Sequence, residues 1–122
     1  MTNKKKATEK PKELGTEKDL EQLRESTKKT YETHREKDED DFPPERRQEY
    51  WRNRYLARTA WEHAENAAFA NLVDEQKRRL PAVAASNAKL AKDMQATANA
   101  LAMLDLVSTS LSVLAEVITI LA

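Results

Sequence analysis

The chain has 122 residues, of which 34% are charged and 6% are aromatic, with one glycine and no cysteine. So few turn-forming residues argue against a β-rich domain, and the lack of cysteine excludes disulfides and thiol catalysis. The 21 basic and 21 acidic residues balance, so there is no global attraction to nucleic acid. This composition predicts an all-α protein with some disorder.

Residues 1–42 are predicted to be a charged, flexible arm. Its first fifteen residues are mostly polar, so they cannot bury enough apolar surface to offset the entropy cost of ordering. A marginal helix is predicted over residues 17–37, because Thr16 precedes an acidic first turn. Only Leu20, Leu23 and Tyr31 are apolar there, so we expect this helix to be frayed when the chain is alone. Whether it folds on a partner is left open. The acidic run that follows predicts a solvated linker.

Residues 43–122 are predicted to form two long helices. The first begins near residue 44, because Pro43 and Pro44 are tolerated in a first turn and Glu45 suits the positive end of the helix dipole. It is predicted to run to about residue 79 and to stop at Pro81, since proline disfavours helical geometry in the residue before it. Its apolar positions recur at helical spacing: Tyr50, Ala57, Ala60, Trp61, Ala64, Ala67, Ala68 and Leu72.

The second helix is predicted over about residues 82–121, and its last part carries a heptad pattern. A narrow polar line follows the opposite face at Asp105, Thr109, Ser112, Glu116 and Thr119. Folding back at Pro81 would give an antiparallel hairpin in which alanine-rich stretches meet near the turn; a single kinked helix is the alternative. The residues of the heptad seam, spaced three and four apart, are Leu104, Val107, Leu111, Leu114, Ile118 and Leu121.

The apolar tail, residues 101–122, is too wide for one partner helix to cover. Leaving half of its large aliphatic side chains exposed would forfeit on the order of 10 kcal/mol. We therefore expect the hairpin to complete its core by oligomerisation or by binding a partner protein, with the heptad seam as the contact surface. Insertion of residues 101–122 into a membrane is the alternative, although no basic residue flanks this segment.

A second candidate contact surface is the cluster of Arg47, Trp51, Arg54 and Arg58. Arginines that alternate with aromatic residues can contact a lipid headgroup boundary or a polyanion. Cation–π packing between residues four apart within the helix explains the same pattern. The surrounding acidic residues argue against nucleic acid, which is the third hypothesis.

No catalytic, cofactor or metal site is predicted. His34 is assigned to the flexible arm, and the residues around His63 match no metal-binding helix motif. Asp105 and Glu116 are about 16 Å apart along one helix, which is too far for a paired-carboxylate mechanism. Solvent-facing or subunit-specifying roles are expected for these two acids.

The sequence therefore predicts a non-enzymatic helical structural or interaction protein that self-assembles or binds a partner through its C-terminal helix. A polar head with a two-helix body is similar in architecture to subunits of secretion needles and filaments, to phage structural proteins and to their assembly chaperones. No apolar segment follows the first lysines, so cytoplasmic synthesis without a cleaved signal peptide is expected. Export by a route without such a signal stays open.

Overall fold

The computed structural model describes residues 13–122, and within this range the chain forms five α-helices and no strand. The all-α prediction is confirmed. Residues 1–12 of the predicted flexible arm lie outside the described range. The helices are α1 (Glu17–Arg35), α2 (Arg47–Asn66), α3 (Asp74–Gln95), α4 (Ala100–Thr109) and α5 (Leu111–Leu121), and short 3-10 turns occupy Glu39–Asp41, Pro44–Arg46 and Phe69–Asn71.

Four of these helices close into a ring around one core. α1 packs against α2 and α3, and α5 packs against the same two helices from the opposite side. α2 and α3 therefore lie diagonally across the bundle, so they do not form the predicted antiparallel hairpin. Core residues recur every three and four positions, the spacing of knobs-into-holes packing. In α2 and α3 these are Tyr50, Asn53, Ala57, Ala60 and Ala64, and Leu80, Val83, Asn87, Leu90 and Met94.

The helix α1 is an integral part of the core, in contrast to the predicted frayed arm. Small polar residues continue the stripe that Leu20 and Leu23 begin. A threonine hydroxyl can be satisfied by a carbonyl of its own helix, although the Thr30 hydroxyl has no partner among the described residues. The Thr27 hydroxyl, for example, donates to the carbonyl oxygen of Leu23 at 2.7 Å. The stripe of three- and four-residue spacings is Leu20, Leu23, Thr27, Thr30 and His34, all fully buried. The assignment of His34 to a disordered arm is therefore wrong.

The first long helix ends at Asn66, well before the predicted residue 79, because of a contact from α1. The guanidinium of Arg24 donates to the carbonyl oxygens of Ala64 at 3.0 Å and Ala67 at 2.6 Å. Ala64 lies in the last turn of α2 and Ala67 directly follows the helix, where intrahelical donors run out. The turn at residues 67–73 contains neither glycine nor proline, so the sequence pattern did not predict it.

Pro81 lies inside α3, so the predicted break at this residue is wrong. A proline in a helix leaves the carbonyl four residues earlier without its amide donor, here that of Lys77. The backbone amide of Gly15 supplies the missing donor, at 2.6 Å from the Lys77 oxygen. A Cβ at position 15 would lie 2.8 Å from that oxygen and 2.9 Å from the Leu80 Cβ. The segment before α1 thus repairs α3 across the fold, and only glycine fits there.

The second long helix of the prediction is divided twice. α3 ends at Gln95, and α4 begins after Asn99, whose side-chain oxygen accepts the Ala102 amide at 3.0 Å. α4 and α5 meet at Ser110 with a bend of 49°. This bend lets the apolar tail follow the curved wall of the bundle, with α4 on α2 and α5 between α2 and α3.

Candidate functional site

The predicted partner interface in the tail lies largely inside the chain. Leu104, Val107 and Leu114 are fully buried, and the other three members of the seam are half-buried against the core: Leu111, Ile118 and Leu121. The bundle offers α2 on one side of α5 and α3 on the other, which covers the wide apolar arc. The surface that the heptad pattern assigned to a partner is therefore used for folding.

The outward face of the tail is polar. Thr109, Ser112 and Thr119 are exposed, and both acids of the line form ion pairs with residues outside the tail. The carboxylate of Asp105 lies 2.6 Å from the Arg46 guanidinium, and Glu116 pairs with Arg79.

Among the described residues, no single helix has the length and apolar character needed to cross a membrane. α4 and α5 meet that test only as a bent pair, on length and composition.

A polar network anchors α4 on α2. Arg46 donates twice to the Glu49 carboxylate, at 2.7 and 3.0 Å, and the Ser108 hydroxyl donates to the same carboxylate. Asn53 donates to the Ser108 hydroxyl oxygen at 2.9 Å. The hydrogen bonds from Arg46 and Ser108 lower the pKa of Glu49 to about 2, because they stabilise its charged form. This network acts as an interhelix clamp.

The two exposed aromatic side chains of the described residues lie on α2, at the predicted arginine and aromatic cluster. Trp51 is 48% exposed and Tyr55 is 68% exposed. Residues three, four and seven apart share one helix face, so six side chains project together. We call this face the α2 surface and define it as Arg47, Trp51, Arg54, Tyr55, Arg58 and Glu62. Tyr55 and Glu62 were not among the predicted contacts, although their spacing of four from Trp51 and Arg58 would have found them.

Each arginine of the α2 surface already has a partner within the chain. Arg47 donates to the backbone carbonyls of Glu39 and Phe42 at 3.1 and 3.2 Å. The guanidinium of Arg54 lies 5.1 Å from the Trp51 ring centre, and that of Arg58 bonds Glu62 at 3.1 Å. Of the predicted cation–π pairs four residues apart, the structure shows Arg54 over the Tyr50 ring at 5.9 Å, and Glu62 neutralises part of the charge of Arg58.

An aromatic cluster beneath the α2 surface holds the start of α2 in place. The buried ring of Tyr50 stacks on His34 and packs against Phe42, each at 4.9 Å between ring centres. Its hydroxyl donates to the carbonyl of Lys37 at 2.5 Å and accepts from Arg54 at 3.1 Å. Burial, with a contribution from Arg54, lowers the pKa of His34 to about 4, so this imidazole is neutral near pH 7.

No metal centre forms within residues 13–122, where no three His, Asp or Glu side chains converge. His63 bonds the Thr59 carbonyl of its own helix at 2.9 Å. A shallow groove of about 1000 Å³ lies between residues 13–16, α3 and α5. The buried polar atoms that lack partners in the described part belong to Thr30, His34, Trp61 and Asn87, and none lines this groove. No buried unpaired polar atom of the described residues therefore points to a ligand in this groove.

Comparisons of the chain with protein families, with curated proteins and with solved structures give no match.

Proposed function

We propose that the chain is a non-enzymatic helical interaction protein that binds another protein through the α2 surface. The observation that carries this proposal is the exposure of Trp51 and Tyr55 on adjacent turns of one helix. Aromatic residues and arginine are enriched among the residues that dominate protein–protein affinity. The α2 surface combines both kinds, with three arginines around two exposed rings.

The rigidity of the α2 surface supports the same proposal. Arg54 is held by the Tyr50 hydroxyl and stacks on Trp51, while Arg47 is tied to two backbone carbonyls. Side chains that are ordered before binding lose less conformational entropy in a complex. Much of the surface is thus arranged in advance for contact.

The other exposed apolar side chains favour the α2 surface by contrast. Leu14, Val73 and Leu101 each stand on a different element of the fold. The outward face of the tail presents mainly alanine, serine and threonine. Neither these scattered side chains nor the tail offers two large neighbouring rings. We therefore expect the contact surface on α2 rather than on the tail.

Site-specific photo-crosslinking in the cells that express the protein tests this proposal. A photoreactive phenylalanine derivative replaces Tyr55, and the matched control carries it at Val73, which is 61% exposed. We expect a protein adduct specific to position 55, and Trp51→Ala should reduce its yield about tenfold. Adducts equal at the two positions, or adducts only with lipid or nucleic acid, would overturn the proposal.

Membrane association of residues 101–122 is a second candidate, which the bent apolar pair of α4 and α5 favours. Insertion would break the Arg46–Asp105 and Arg79–Glu116 ion pairs and uncover the core. Flotation with anionic vesicles tests it: the wild-type protein should float, and Leu111→Asp with Leu114→Asp should stay in the soluble fraction. Wild-type protein that never floats would remove this candidate.

A further inference from the structure

We propose that the partner of the α2 surface is a second copy of this chain, with the two α2 helices antiparallel. This inference rests on the proposed function and names its partner. In chain order the surface presents a cation, a ring, a cation, a ring, a cation and an anion. Such an order can complement itself when one copy runs in the opposite direction.

One register matches every member of the α2 surface with a suitable group. A twofold axis between Arg54 and Tyr55 places Trp51 opposite Arg58 of the second copy and Tyr55 opposite its Arg54. The same register places Arg47 opposite Glu62. Because the axis is twofold, each contact occurs twice, as in any isologous interface. Both rings then face a guanidinium, and the surface anion faces the outermost cation.

The charge on and beside the α2 surface favours a second copy over a polyanion or an anionic lipid surface. Two carboxylates border the arginines: Glu39 lies 3.4 Å from the Trp51 indole nitrogen, and Asp40 lies 3.8 Å from Arg47. Together with Glu62 they balance the three arginines of the surface. Two such neutral faces meet without net repulsion, whereas a polyanion would encounter carboxylates at both ends.

Two further members of the proposed interface are open to solvent beside the rings. The side chains of Arg58 and Glu62 are 61% and 49% exposed. Arg58 and Glu62 bond one another through a single contact, so both keep hydrogen-bonding capacity for a second copy.

Sedimentation velocity of the purified full-length protein, from about 1 µM to about 1 mM, tests the inference. We expect a monomer–dimer equilibrium whose dissociation constant rises about tenfold in Trp51→Ala and in Glu62→Arg, and does not change in Val73→Ala. A monomer at every concentration would overturn the second-copy inference, and an adduct with a different protein at position 55 would then leave the proposed function intact. A dimer that neither α2 variant weakens would place the interface elsewhere and also overturn it.

Single cysteines test the antiparallel register, because the chain has none of its own. In this register the two copies of residue 55 are offset by about 1.5 Å along the helix axes, and those of residue 62 by about 22 Å. We therefore expect oxidation to link Tyr55→Cys with itself and to leave Glu62→Cys unlinked. Efficient linkage of Glu62→Cys would indicate a parallel pair and contradict the register.

Discussion

Replacing Gly15 with alanine is expected to destabilise the fold by about 2 kcal/mol. The added Cβ would lie 2.8 Å from the Lys77 oxygen and 3.0 Å from the Pro81 Cδ, so the segment before α1 must shift. The shift breaks the bond from the Gly15 amide to Lys77, which contributes about 1 kcal/mol net. The freed carbonyl then lacks a donor, because Pro81 has no amide hydrogen, and this raises the cost of the lost bond to about 1–3 kcal/mol unless water reaches the carbonyl. Alanine also lowers the conformational entropy of the unfolded chain relative to glycine, which offsets about 0.5 kcal/mol of the destabilisation.

A double-mutant cycle with Pro81→Ala tests this reasoning, measured by urea unfolding and far-UV circular dichroism. Alanine at position 81 supplies an intrahelical donor to the Lys77 carbonyl and removes the Cδ contact. We therefore expect Gly15→Ala to cost at least about 1 kcal/mol less in the Pro81→Ala background. Leu14→Ala, at a neighbour that is 42% exposed, is the matched control and should change stability little. If Gly15→Ala costs the same in both backgrounds, the repair of α3 by Gly15 is refuted.

Three further predictions concern buried and bonded polar groups. Acidification from pH 6.5 to 4 should remove about 3 kcal/mol of the free energy of unfolding through His34. The pKa of His34 is about 4 in the folded protein and 6.5 in the unfolded chain, so the unfolded state binds the proton first as the pH falls. His34→Phe should flatten that part of the urea-unfolding pH profile, and an unchanged profile would contradict it. Ser108→Ala should cost about 1–2 kcal/mol in urea unfolding, whereas exposed Ser112→Ala should cost almost nothing; equal costs would argue against the clamp. Arg46→Met should raise the pKa of Glu49 from about 2 toward its ordinary 4.5 in an NMR titration. If the pKa did not rise, Arg46 would not be the main cause of the lowered pKa.

Several parts of the fold could be predicted from the sequence because local chemistry decides them. Helical structure from Pro44 onward follows from the two prolines and Glu45, and the buried stripe of α2 follows its predicted spacing. Solvent-facing or subunit-specifying roles were expected for Asp105 and Glu116, and the polar line that contains them faces outward. In these places the hydrophobic pattern and the capping residues agree with the final packing.

The remaining parts depend on contacts between residues far apart in the chain. The end of α2 is set by Arg24 of α1, and the continuity of α3 through Pro81 depends on Gly15. Neither contact can be recognised from the residues that lie next to it in the sequence. The role of α1 was detectable in principle, because Thr27, Thr30 and His34 continue the spacing of the leucines, but a count of apolar residues misses buried hydroxyls.

The candidate site was only partly predictable for the same reason. The sequence identified Trp51 and the three arginines as one cluster, and the structure places them on one face of α2. It could not rank this surface above the tail, because the tail's burial depends on the unpredicted turn between α2 and α3. That turn lets α2 and α3 pack on two sides of α5, and the ranking reverses.

Long-range hydrogen bonds also bear on how this protein can bind. Arg24 bonds the end of α2, Gly15 bonds the interior of α3, and the Gln76 amide donates to the Ile120 carbonyl at the end of α5 at 2.6 Å. Each bond satisfies a carbonyl that its own helix leaves without a donor, so opening the bundle would break several at once. Binding that required the tail to leave the bundle would have to offset these bonds and the buried apolar surface. Binding through the α2 surface requires neither, because Trp51, Tyr55 and Arg58 are already exposed. The energetic argument that made the tail the expected contact surface therefore now favours α2.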